Sequence, residues 1–233
     1  DGKNGLWLGT NNGIYNIDFT DSGGSKLSYF QTRIYSGSGA TGSTLQDWTT
    51  VASGINSDNY TTDWSLQAST WTALAQGTNY VSAKIFDGVG NSVTSNDVFY
   101  VKKDTASPTI TDNQTGDDTW RNSSGTSYNI DFSDTASLLS YVQYTVWSAT
   151  GQTGTQIKTW TDIATSINAS NYTTDWQVDF NVLQSGTNYV SVRVYDNIGN
   201  VASLNDVFYV KKDTSGPTIT DNQTGDDIWR TTS

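Results

Sequence analysis

Short runs in which apolar and polar residues alternate recur along the whole chain, and no helical period persists between them. Tyr128, Ile130 and Phe132 alternate with Asn129 and Asp131. Val142, Tyr144 and Val146 alternate with Gln143 and Thr145, and Val190, Val192 and Val194 with Ser191 and Arg193. A period of two sends successive side chains to opposite faces, so each run predicts a strand with one buried face. PTIT, a segment around Trp160, another around Trp176 and the run VFYV bring the expectation to roughly seven strands. Residues 68–75 and 180–184 offer very short helices at most.

The alternating pattern is written twice. YNIDF at 15–19 returns at 128–132, YTTDW at 60–64 returns at 172–176, and GTNYVS at 77–82 returns at 186–191. NDVFYVKKDT at 96–105 returns at 205–214. The offset shrinks along the chain, which places short deletions in loops between matching blocks. The unit is about 110 residues, the usual size of a β-sandwich domain. The expected organisation is a first sandwich over 1–105 that lacks its first strand, a second over 106–214, and the start of a third repeat over 215–233.

Composition agrees with an all-β chain. All 23 acidic residues are Asp, and Trp, Tyr, Thr and Val are plentiful. The absence of Glu disfavours helices, β-branched and aromatic residues pack well on a pleated surface, and Asp and Asn suit turns. A formal charge of −11 would repel a phosphate backbone, so no nucleic-acid partner is expected. No run of eighteen apolar residues predicts a membrane span. There is no Cys or His, which excludes disulfides, thiolate metal sites and Ser-His-Asp or Cys-His catalysis. With no Gly-rich phosphate loop either, the expectation is a chain that is not an enzyme. The missing initiator Met and signal peptide read as a mature or excised segment.

LAQGTNYVSAKIFDGVGNS (74–92) and LQSGTNYVSVRVYDNIGNV (183–201) resemble the closing part of bacterial Ig-like and fibronectin-III-like domains. In these a Leu and a Tyr six residues apart precede a Val-rich strand and a D-x-x-G-N hairpin. Here the pairs are Leu74 with Tyr80 and Leu183 with Tyr189. The DT-x-x-PTIT passages are similar to linkers between tandem Ig-like domains of large bacterial surface proteins. The resemblance implies two tandem Ig-like β-sandwiches in an elongated rod, outside the cell or on its surface. It also implies a tyrosine corner at Tyr80 and Tyr189, although the Val residues lie out of phase with Tyr189.

In such a sandwich the chain enters at the end that carries the B–C and F–G loops. Asp134 begins the expected B–C loop and Asp196 the F–G hairpin, so both should face Asp104 in the linker. Three converging carboxylates could hold a structural Ca²⁺, with Asn200 and backbone carbonyls as further ligands, because Ca²⁺ takes six to eight oxygens. Asp also simply suits turns, and that alternative stays open; TDNQTGDD lacks the EF-hand ligand pattern. Tyr29 and Tyr35 in the first unit match Tyr141 and Trp147 in the second, on the strand face opposite the apolar set. An exposed aromatic row of this kind could stack on sugar rings. Trp7, Trp48, Trp64, Trp120, Trp160 and Trp176 are expected in the cores.

Residues 102–121 and 211–230 agree at seventeen of twenty positions. Lys-Lys-Asp-Thr closes a unit, Pro fixes φ, and PTIT opens the next sandwich. Pro217, Thr218, Ile219 and Thr220 are therefore the expected head-to-tail joint to a following repeat or to another copy. Residues 223–233 match residues 1–11 in register, so only PTIT could be lent to another molecule without conflict. A window on a longer array and strand exchange between copies both remain open. The expected role is a segment of an extracellular fibre, stalk or adhesin. Carbohydrate-binding modules of a secreted polysaccharide-degrading enzyme are the alternative, with a glycan as partner.

Overall fold

The computed structural model describes residues 5–115, 118–224, 229 and 231. It is all-β apart from one six-residue helix, Ala68–Ala73, and one 3₁₀ turn, Phe180–Val182. Those two pieces fall where the sequence allows only very short helices. In the first unit the strands are β1 (Trp7–Leu8), β2 (Phe19–Thr20), β3 (Leu27–Gly37), β4 (Thr41–Ser57), β5 (Asn59–Tyr60), β6 (Gly77–Asp87) and β7 (Ser92–Lys103). In the second they are β8 (Thr109–Asp112), β9 (Trp120–Arg121), β10 (Ile130–Ser133), β11 (Leu139–Ala149), β12 (Thr153–Ala164), β13 (Asn171–Tyr172), β14 (Gly186–Asp196) and β15 (Val201–Lys212).

Each unit pairs a large sheet with a small one. The large sheets run β1-β7-β6-β3-β4 and β12-β11-β14-β15-β9, and the same four long strands meet in both. The small sheet of the second unit has three strands, β13-β10-β8, whereas that of the first has only β2 and β5. The difference is the PTIT strand. β8 lies antiparallel to β10, with Thr109 opposite Ser133 and Ile110 opposite Phe132, and no strand occupies that edge of β2 among the described residues.

The alternation read from the sequence builds the core. Val142 and Val146 of β11 and Val190, Val192 and Val194 of β14 are fully buried. They meet Ile130 and Phe132 from the small sheet in one cluster with Trp176 and Phe208. Burying a side chain of this size contributes about 1.5–3 kcal/mol, so this interior is the main source of cohesion in the unit. The first unit repeats the arrangement with Tyr15 stacked on Phe99, their ring centroids 4.4 Å apart.

Two sequence expectations need correction. Trp176 is buried and Trp64 packs against its core, but Trp7, Trp48 and Trp160 are half-buried, and Trp120 is 57% exposed. Trp7 and Trp120 sit on two-residue parallel edge strands, where Lys102 and Lys211 lie over their rings at 5.5 and 5.8 Å. Arg193 covers Trp160 at 4.2 Å. These indoles cover the outer sheet face and hold cations there. The tyrosine corner is also replaced. Tyr189 pairs with Trp147 across the sheet, on the outer side, and its neighbour Asn188 makes the corner instead. The Asn188 amide is fully buried, donates to the carbonyls of Gln184, Gly186 and Val210, and accepts from the Gln184 N–H. Asn79 does the same in the first unit.

Candidate metal centre

The joint between the units is built on Asp104, which follows β7 directly. Its N–H donates to the carbonyl of Leu8 at 3.0 Å, and one carboxylate oxygen accepts from the N–H of Ala106 at 3.1 Å. That is a self-closed Asx turn, which sets the direction in which the chain leaves the first unit. The other carboxylate oxygen reaches the second unit and accepts the Ser137 N–H at 3.0 Å. The linker thus belongs to both units. Pro108 is buried a few residues on, just before β8 begins.

Two loops of the second unit converge on it. Asp134 follows β10, and its N–H donates to the carbonyl of Ser170. The loop after it turns at Leu138, whose φ of 70° is unusual for a bulky residue,. Asp196 ends β14. Its carboxylate closes the hairpin by accepting the N–H groups of Ile198 and Asn200, at 3.0 and 2.8 Å, and the Asn200 amide at 2.7 Å. The Asn200 amide also leans on the Asp104 carbonyl at 3.4 Å.

The result is a triad. One carboxylate oxygen from each of Asp104, Asp134 and Asp196 lies within 4.8 Å of the others, and the residues are only 0%, 6% and 2% exposed. Burial pushes the Asp134 carboxyl above its usual range, and the charges of Asp104 and Asp196 push the same way, against N–H donors at Ala136 and Leu138. Asp134 Oδ2 and the Ser137 hydroxyl are buried with no hydrogen-bond partner among the described residues. Three buried acids with an oxygen left over are poorly placed for one another and well placed for a hard cation, which prefers oxygen ligands. The three Asp residues named from the sequence are therefore brought together. Asn200 stands beside them, its amide nitrogen clamping Asp196.

No family model matches this chain, and no curated protein matches it. Among solved structures it is similar to fibronectin(III)-like modules of Clostridium thermocellum CbhA, at 15% identity and a TM-score of 0.30, over 93% of each chain. It is also similar to a tetra-tandem repeat from the extending region of a large adhesion protein, at 16% identity and a TM-score of 0.34, over 87% of this chain and 50% of that one. A third likeness is to CBD12 from CALX1.2, at 11% identity and a TM-score of 0.23, over 79% of this chain and 73% of that one.

The other sequence candidates fall elsewhere. Tyr29, Tyr35, Tyr141 and Trp147 are half-buried on the large sheets. Tyr29 stacks on Phe86 at 4.3 Å and Tyr141 on Tyr195 at 4.5 Å, both pairs nearly parallel, so ring faces are turned to one another. Pro217, Thr218, Ile219 and Thr220 are exposed and form no strand. Of the acidic residues near the joint, Asp117 lies outside the described residues, and Asp118 turns away to accept from Tyr209 and Lys211 at 2.6 and 2.8 Å. No helix among the described residues is long and apolar enough to cross a membrane.

Proposed function

We propose that this chain is a structural segment of an extracellular fibre, stalk or adhesin, in which successive β-sandwich units are locked end to end by Ca²⁺. One observation carries the proposal: the carboxylate between the units, Asp104, is buried against two carboxylates of the following unit, and Asp134 keeps an oxygen with no protein donor. A divalent cation bridging the triad would tie linker to unit, turning a short connection into a rigid one. Asp104, Asp134 and Asp196 would hold it, and Asn200 would keep Asp196 in position. A mechanical task also accounts for a chain without His or Cys whose acids cluster at the joint.

The test is solution scattering of the purified chain with Ca²⁺ and with chelator. The particle should be longer and more uniform with Ca²⁺, and Asp196→Ala should remove the difference. Identical profiles in both conditions would leave the triad as an ordinary set of turn residues.

A further inference from the structure

The first unit carries the same receiving surface as the second, and no strand among the described residues pairs with it there. Asp21 and Asp87 stand where Asp134 and Asp196 stand in the second unit, and Asn91 stands in the place of Asn200. The correspondence holds bond by bond. Asp87 accepts the N–H groups of Val89 and Asn91 at 3.0 and 2.8 Å and the Asn91 amide at 2.8 Å, as Asp196 does with Ile198 and Asn200. Lys26 repeats the positive φ of Leu138, at 61°. Two features differ. A cavity of about 570 Å³, lined by Asp21, Ser25, Asp87, Asn91, Val89 and Val93 among others, lies here. The Ser25 hydroxyl, within reach of Asp21 at 3.2 Å and Asp87 at 3.0 Å, ties the two acids together in place of a third carboxylate.

The segment that fits this surface is present at the other end of the molecule. After β15 the N–H of Asp213 donates to the Arg121 carbonyl at 3.0 Å, and its carboxylate accepts the Ser215 N–H at 2.9 Å. That is the turn Asp104 makes, already formed. Beyond it PTIT is exposed, with Ile219 98% accessible, whereas its counterpart Ile110 packs on a core. Apolar surface waits on both sides, because Val89 and Val93 are 75% and 70% exposed.

We propose that this open face of the first unit is a socket for residues 213–222 of a second copy of the chain, with Asp213 completing a triad with Asp21 and Asp87. The proposal rests on reading the joint as a cation site, since a cation would offset the mutual repulsion of three carboxylates brought together. The segment 109–112 on β10 supplies the register. Thr218 lies opposite Thr20, Ile219 opposite Phe19, Thr220 opposite Asp18 and Asp221 opposite Ile17. Strand addition of this kind satisfies backbone groups on both partners and buries Ile219. Docking stops near Asn222, because further on Trp229 corresponds in sequence to Trp7, which already pairs with β7. A head-to-tail contact does not close unless its rotation permits, so the product is a filament.

The chain has no Cys, which allows a clean test. One copy carrying Thr20→Cys is mixed with another carrying Thr218→Cys, both exposed positions, under mild oxidation with Ca²⁺ or with chelator. A mixed disulfide dimer should form at least tenfold faster with Ca²⁺, and adding Ile219→Asp to the second copy should suppress it. No preferential cross-link, or one that survives Ile219→Asp, would overturn the socket. A cross-link formed equally fast in chelator would overturn the role given to Asp213. The scattering response of the joint at Asp104 is read on dilute, unmixed protein, so it stands or falls separately.

Discussion

Replacing Asp134 by Asn perturbs the joint with the least change of shape, because the side chain keeps its size and loses its charge. All three ligand oxygens lie within 4.8 Å of one another, so each ionised pair repels by about 3.5 kcal/mol at an effective dielectric constant of about 20. Asp134 belongs to two such pairs. The N–H groups of Ala136 and Leu138 stabilise the ionised Asp134 itself and offset much of this repulsion. The net gain from Asp134→Asn in metal-free protein is then roughly 2 kcal/mol, or about 8 °C in the melting temperature of a domain this size. The pH dependence has a definite sign. Asp134 binds its proton more readily folded than unfolded, so in chelator its contribution is present below the ordinary Asp range and is lost as pH rises through the raised folded value. Ca²⁺ binds the ionised form and reverses that slope, adding about 4 kcal/mol at a thousandfold excess over Kd. Differential scanning calorimetry at several pH values, with chelator and with Ca²⁺, reads all of this, and the first unit's own transition in dilute protein serves as a reference. A variant that melts below the parent in chelator, or keeps the full Ca²⁺ response, would refute the reasoning.

Asn188→Ala leaves the N–H of Gln184 and the carbonyls of Gln184, Gly186 and Val210 without their side-chain partner, and each buried group left unsatisfied costs about 1–3 kcal/mol. Urea unfolding should show the second unit destabilised by at least about 2 kcal/mol, with Asn79→Ala doing the same to the first; a loss under 0.5 kcal/mol would contradict the role of the corner. A nonspecific protease should cut first at the exposed residues 105–107 between buried Asp104 and Pro108, and Ca²⁺ should slow that cut. First cleavage within 127–146 would mean that the joint is not the weakest point.

The strands and the doubling were legible because burial on one face imposes a period of two. The triad was legible too, since its three Asp residues sit at the ends of elements whose order a sandwich fixes. Asn188 was missed although a signal was present: it shares the phase of Val190, Val192 and Val194. A polar residue on an apolar stripe must find partners, and the partners here are backbone carbonyls that no sequence pattern displays. The outward Trp residues were misplaced because indole area suits an interior and a cation-covered sheet face equally well. Trp120 lies on a strand of two residues, Trp120–Arg121, whose place is decided by β15, far away in sequence. The half-built site in the first unit needed the structure, because Asp21 and Asp87 differ from Asp134 and Asp196 only in what lies between them.

The near-identity of residues 102–121 and 211–230 follows from how many surfaces that passage must satisfy at once. A residue inside a strand answers to one core, and a neighbour can compensate for its change. The joint has no such freedom. Lys103 donates to the carbonyls of Trp71 and Leu74, closing the end of the first unit, and Lys212 donates to those of Phe180 and Leu183 in the second. One residue later Asp104 turns towards the next unit and meets its two loops. Pro108 and Ile110 then enter that unit's sheet and core. Within ten residues the chain completes one sandwich, supplies a third of a charged site, and begins another sandwich. A change at any of these points is felt on both sides, so the two copies of the passage can differ only where neither side touches it. Ala106 and Ser107, exposed between the buried Asp104 and Pro108, are such points, and Ser215 and Gly216 replace them in the second copy.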